Sequence, residues 1–232
     1  MARTVPGPGG PTPRTTSIDA AIDCAANARA DESLLRRGGP AGRVAVLADG
    51  ALSVGMGVPA DAPYLVRARA EGWAIVRRSS GGTAVAHGPG DLTWTIVLPR
   101  TDARVGNDYA RKYDRLGRAI VRFLSSHGVT ARWAPPPAVS DGYCLLGHRG
   151  SALWVEGRVL GGAAQHLSGQ ALLHHGVLPR AIDRTALGRL FELPDHGGLD
   201  RLTSLSEAGI RERSEALAVG LAVALDDELA GT

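Results

Sequence analysis

The stretch RRSSGGTAVAHGPGDL, Arg77 to Leu92, sets two arginines, two serines, two adjacent glycines and a histidine between apolar runs of β character. Glycine lacks the Cβ that would keep a ligand off the backbone. Ser79-Ser80-Gly81-Gly82 therefore lets amide N–H groups approach an anion or a carbonyl oxygen. Arg77 and Arg78 alternate along an extended chain, so one faces the loop while the other faces away. A second stretch, SDGYCLLGHRG, places Cys144 in a polar, glycine-rich loop, a setting for a partly exposed thiol that can be activated. His148 stands four residues beyond it and is placed to act as its base if the loop folds back. Residue types alone also fit a plainer reading: a surface hairpin with basic flanks, and an inert cysteine packed beneath a loop.

These loops need elements to hold them. Ser17 reads as the N-cap of a helix to Arg37, ended by Gly38-Gly39, with Cys24 packing at its edge. Arg43–Leu47 and Ala51–Val54 around Asp49-Gly50 predict a β-hairpin. A short helix follows over 62–71. Strands over 73–77 and 92–98 flank the glycine loop. A long helix over 109–126 carries Leu116, Ile120, Phe123 and Leu124 on one face. Further strands are predicted at 131–133, 152–155, 158–165 and 171–177, with helices at 182–191 and 210–229. The expected fold class is α+β, a largely antiparallel mixed sheet flanked by helices. Residues 1–16, rich in Pro, Gly, Thr and Arg, are expected to be a disordered tail, and 17–232 one domain without a C-terminal accessory domain.

Composition narrows the functions. Aromatics are 4% and glycines 31, so the core is built from Ala, Val, Leu and Ile. A net charge of +3 with scattered basic residues is no nucleic-acid footprint, and no apolar run approaches a membrane span. Two cysteines make no disulfide framework, which fits a reducing cytoplasm. No histidine spacing suggests zinc. Among 26 basic residues only Lys112 is a lysine.

The order of residues adds more. RRSSGGTAVAHGPGDL resembles the Arg-Arg-x-Ser-Gly-Gly-Gly-Ala-Val-x-His motif of the lipoate–protein ligase and octanoyl (lipoyl) transferase superfamily, whose catalytic domain is of the biotin/lipoate ligase type. Its His-Gly-Pro-Gly is closer to the transferase branch. ALSVGMG sits where that family has a strand ending in a glycine turn. VEGRVLGGAAQ resembles Gly-Arg-Lys-Ile-x-Gly-x-Ala-Gln, GQALLHHGVL a Leu-Leu-His-His-Gly strand, and RLTSLSE the Thr-Ser-Leu before the last helix. The likeness runs over about residues 17 to 230.

The resemblance implies an apolar channel for an eight-carbon acyl chain with its polar groups gathered at the carboxyl end. It carries over Arg78, Ser80, Gly81, Gly82, Thr83, Val85, His87, Val159, Gly162, Ala164 and His175 as substrate-binding positions, and Cys144 as the nucleophile of the cysteine-dependent members. Thr83 replaces a third glycine, and Ala86 an aromatic residue. Val159 stands where the family has a lysine that binds the substrate oxygens, and valine can neither donate nor carry charge. Arg158 points to the other face of the strand, and Lys112 reads as a solvated charge on the long helix. Three readings stay open. One is an acyltransferase that passes an octanoyl or lipoyl group through a Cys144 thioester to an acceptor lysine. Another is a ligase using ATP and Mg, with a separate accessory protein. The third is a non-catalytic member that binds an acyl chain, an acyl-adenylate or a lipoyl domain. All three imply a lipoyl-domain or acyl-carrier protein as partner, and neither nucleic acid nor membrane.

Overall fold

A computed structural model describes residues 16–106 and 109–230 of the chain. In order, the elements are β1 (Thr16–Ile22), α1 (Cys24–Arg37), β2 (Ala41–Leu47), β3 (Ala51–Val54), α2 (Pro63–Ala70), β4 (Ile75–Arg77), β5 (Ala84–His87) and β6 (Leu92–Pro99). Then come α3 (Tyr109–Ser126), β7 (Ala131–Ala134), a 3-10 turn at Cys144–Leu146, β8 (Ser151–Val155), β9 (Arg158–Leu167), β10 (Ala171–Leu178), α4 (Arg184–Phe191) and α5 (Ser214–Ala230). The architecture is α+β. One seven-stranded sheet has the order β1-β2-β6-β10-β9-β8-β7, and a three-stranded sheet has the order β4-β3-β5. Among the described strand pairs, only β1–β2 and β3–β4 are parallel.

Strand β6 explains the layering. Leu92, Trp94, Ile96 and Leu98 point to one side of the large sheet, and Thr93, Thr95 and Val97 to the other, the two-residue period of a strand. The first side meets Leu116, Ile120 and Phe123 of α3 and Leu217, Leu221 and Leu225 of α5, whose spacing puts them on one stripe of each helix. Each such buried side chain contributes roughly 1.5–3 kcal/mol. The second side carries α1. A separate apolar cluster beyond it joins β3, α2, α4 and the 3-10 turn. Among the described residues no helix is long and apolar enough to cross a membrane.

Three expectations are corrected. Residues 17–22 form a parallel edge strand against β2, and the helix begins only at Cys24, with Asp23 as N-cap accepting from the Ala26 amide at 2.6 Å. Apolar residues at 18, 21 and 22 suit a short helix and a strand alike, and pairing with β2 decides between them. The stretches 43–47 and 51–54 form no hairpin, because β2 pairs with β1 and β6 while β3 joins the other sheet. Gly50 does not take a positive φ, and the Asp49 carboxylate accepts from the Cys24 amide at 2.9 Å. Within the glycine-bearing stretch, 84–87 is itself a strand, paired with β3. The expected tail lies outside the described residues, except that Thr16 opens β1.

Candidate active site

Both arginines of the motif hold loops in place. Arg77 donates to the carbonyls of Gly55, Met56 and Val58 at 2.9–3.1 Å. Arg78 is buried, and each of its five N–H donors finds a protein acceptor. Nε donates to Ser80 Oγ (3.1 Å), Nη1 to the Ser53 carbonyl and Oγ (3.1 and 3.4 Å), and Nη2 to the carbonyls of Gly81 and Thr83 (2.8 and 3.0 Å). Those bonds fix the path of the glycine turn. Gly82 takes φ +88°, and a Cβ there would lie 2.9 Å from Arg78 Nη2 and 3.0 Å from Cys144 Sγ. The turn thus needs glycine twice over, for its left-handed backbone and for the closeness of the thiol. Among the described residues, no acceptor engages the amide N–H groups of Gly81, Gly82 or Thr83.

The loop bearing Cys144 is docked on the same strand. The Ala84 amide donates to the Gly142 carbonyl at 3.0 Å, and Ser140 Oγ accepts from the amides of Gly142 and Tyr143 at 3.2 and 2.9 Å. Below the turn, Leu145 packs onto β9 at Gly162, where a Cβ would come within 2.7 Å of Leu145 Cδ2. Cys144 is left partly exposed. Cys24 also lines the cavity but differs in kind: it is buried, and burial together with Asp49 pushes its thiol up, so it stays protonated.

Cys144 opens on a cavity that encloses about 780 Å³ of unfilled space including its open mouth. Leu47, Val76, Val85, Leu145 and Val177 supply apolar wall, and Gly162 and Ala164 keep side chains short along β9. His87 and His175 face in from β5 and β10. Burial, then the neighbouring Arg78 and His175, hold His87 down at about 4, so its ring is neutral, with Nε2 2.9 Å from Ser53 Oγ. His175 is held from both sides: Nδ1 lies 2.8 Å from Asp31 Oδ2, and Nε2 lies 2.7 Å from Ser80 Oγ. A carboxylate only accepts, so Nδ1 carries a proton, and in the neutral ring Nε2 accepts from the Ser80 hydroxyl. Asp31 Oδ1 takes Thr95 Oγ1 at 2.7 Å and Arg43 Nη1 at 3.2 Å. His174 points to the opposite face, against Trp94 and Tyr113, where burial lowers it to about 3. Among the described residues no three His, Cys, Asp or Glu side chains are grouped to hold a metal ion.

The cavity gathers Arg78, Val85, His87, Cys144, Gly162, Ala164 and His175 directly. Ser80 and Gly82 join through His175 and Cys144, while Gly81 and Thr83 present carbonyls to Arg78. Two candidates stand apart. His148 does not line the cavity; it is exposed, with Nε2 3.1 Å from Asp141 Oδ1. Val159 is fully buried in the apolar cluster with Tyr143, Leu145 and Leu146, and does not line the cavity either. A bulge places it there: Trp154 pairs with Val159 and Leu153 with Gly161, so Leu160 is the extra residue and Val159 falls on the same face as Gly162. Asn27 and Asp31 line the cavity from α1 without having been singled out by motif. Their signal is helical spacing, since Cys24, Asn27, Ala28 and Asp31 form one face on which polar residues stand where core residues are expected.

Known proteins share this arrangement of elements. The family model of the lipoyl protein ligase A/B catalytic domain matches residues 23–218. Octanoyltransferase LipM of Kyrpidia tusciae is 28% identical over 181 residues, covering 69% of this chain and 66% of that protein. The probable lipoate-protein ligase A of Mycoplasma pneumoniae is 32% identical over 115 residues, covering 50% of this chain and 29% of its own length. The chain spans about half the length of several other curated octanoyltransferases that it matches. A solved lipoate-protein ligase A bound with ATP has the same fold, with a TM-score of 0.74 at 19% identity over 94% of this chain and 86% of that one. Through the match to residues 23–218, most of its length, the chain belongs to the lipoyl protein ligase A/B catalytic domain family.

Proposed function

We propose that this chain is an acyltransferase of lipoyl attachment, in which Cys144 carries an octanoyl or lipoyl group between a carrier and a lysine of a lipoyl-type acceptor domain. The carrying observation is the seating of Cys144 Sγ beside the Gly82 turn at the wall of a largely apolar cavity. The sulfur attacks the acyl carbonyl carbon, and the bond to the donor's sulfur or nitrogen breaks. The donor leaves with the proton that Cys144 gave up. The acceptor amine then attacks the thioester, an amide forms, and the proton released from nitrogen returns to the cysteine. Unengaged amides at Gly81, Gly82 and Thr83 sit in the turn beside the sulfur, the kind of donor that stabilises a developing oxyanion. Asp31 and Ser80 fix the ring of His175 at the cavity wall. Relatives named octanoyltransferase and lipoate-protein ligase support this class of chemistry.

Val159 favours a second reading, a member that binds without turnover, because β9 offers apolar surface where the resemblance places a lysine. Intact-mass measurement separates the readings. The protein is incubated with octanoyl-loaded carrier protein, and separately with octanoate, ATP and Mg. Transfer gives an octanoyl adduct from the carrier, absent in Cys144→Ser. Acyl-AMP formed in that same variant marks a ligase instead. Thermal stabilisation by octanoate with neither product marks a binder.

A further inference from the structure

Of the charged and titratable groups at the cavity wall, nearly all are already occupied. Arg78 spends its five donors on the protein, and Asp31 accepts from Arg43, Thr95 and His175. His87 and His175 are bonded to Ser53 and to Asp31 and Ser80. Apart from the Cys144 thiol itself, Arg149 is the exception. It lines the cavity, it is exposed, and among the described residues no hydrogen bond or ion pair engages its guanidinium. It lies five residues beyond Cys144 on the loop that the 3-10 turn begins, so thiol and cation reach the cavity from one segment. Val159, on the neighbouring strand, offers only a buried methyl pair.

We propose that Arg149 is the cation that receives the oxygen end of the acyl group in this cavity, and so makes the site select carboxylates over neutral chains of equal length. This rests on the acyl-handling reading given above. The physical case is one of supply. An acyl chain in an apolar cavity brings one polar end, and beside the neutral amides of the turn a carboxylate there gains most from a charged donor with N–H groups to spare. Only Arg149, among the described lining residues, has them. Its planar fork also suits two oxygens at once.

The test compares octanoate with octanamide, which has the same chain and no charge, by calorimetric titration of wild type, Arg149→Ala and Arg149→Lys. The side chain is exposed and bonded to nothing, so Arg149→Ala is expected to keep the melting temperature. Wild type is expected to prefer octanoate about tenfold or more, the range of a hydrogen bond to a charged group. Arg149→Ala should level the two ligands, and Arg149→Lys should restore part of the preference, since the charge returns without the fork. In the same variants, acylation of Cys144 from the octanoyl carrier should fall about 100-fold in kcat/KM for alanine, and less for lysine. A preference that survives in Arg149→Ala overturns the assignment, whatever Cys144 does. A preference that depends on Arg149 in a protein that never acylates Cys144 upholds this inference and sinks the transferase reading alone. Binding of neither ligand to wild type overturns this inference, and absence of the Cys144 adduct from the carrier as well overturns both.

Discussion

Asp31 is 4% exposed and accepts three hydrogen bonds, from Arg43, Thr95 and His175. Arg43 is equally buried, and its other charged partner is Asp19 at 2.6 Å. Replacing Asp31 by asparagine keeps the shape but removes the charge that offsets a buried guanidinium. Asp31→Asn should therefore cost about 3 kcal/mol in urea unfolding, and octanoyl transfer should drop as His175 loses its anchor. A variant as stable and as active as wild type would show the network to be incidental. Val159 poses the opposite case. Lysine there would enter an apolar cluster with Tyr143, Leu145 and Leu146. Val159→Lys should destabilise the fold by on the order of 3 kcal/mol, as a buried unpaired charge does. A stable variant with a gain in transfer would mean that the long side chain reaches the cavity from β9. The sequence marks Val159 as an oddity by its type. That it faces the sheet's inner side follows from the Leu160 bulge, which no residue type announces.

At the scale of elements, the site is a junction between the glycine turn, which runs from β4 into β5, and the Cys144 turn, joined through Ala84 and Gly142. Much of this was legible in the chain. Glycine next to serine, with arginine before them, specifies a turn through local backbone freedom, and the ordered motifs place that turn near a cysteine loop. What escaped depends on pairing across the fold. Residues 17–22 are a strand because β2 lies alongside, and 84–87 are a strand because β3 does. A run of four to six residues does not separate a period of 2 from one of 3.6. The junction predicts a mutational signature. Gly82→Ala should cost about 1–3 kcal/mol, from the left-handed backbone and the contact with Arg78 and Cys144. It should also change the rate at which iodoacetamide labels Cys144 in the native protein, while Cys24, buried and held as a thiol, stays unlabelled in both. Equal labelling of Cys144 in the two proteins would separate the turn from the thiol.

For the whole molecule, burial of ionisable groups in and behind the cavity sets how stability follows pH. An unfolded histidine titrates at 6.5, whereas His87 is held at about 4 and His174 at about 3, both first by burial. Between those values and 6.5 the unfolded chain binds two protons that the native state refuses, so stability rises with pH. Asp91 works the other way. Burial raises it from 3.8 to about 7 against the pull of the Gly88 and Arg180 amides, so across that range the native state holds a proton that the unfolded chain lacks. Two against one leaves one net proton taken up on unfolding between about pH 4 and 6.5. Stability should fall by about 1.4 kcal/mol for each pH unit of acidification in that window. Below it, Asp102 and Glu207, whose carboxyls are held low by Arg104 and Arg184, add in the same direction. Urea midpoints measured from pH 4 to 7.5 should peak near 6.5. In Asp91→Asn the opposing proton is gone, so the acid limb should steepen to roughly twice the wild-type slope. A midpoint that holds level or climbs toward pH 4 would mean that His87 and His174 are not kept neutral by burial in the folded protein.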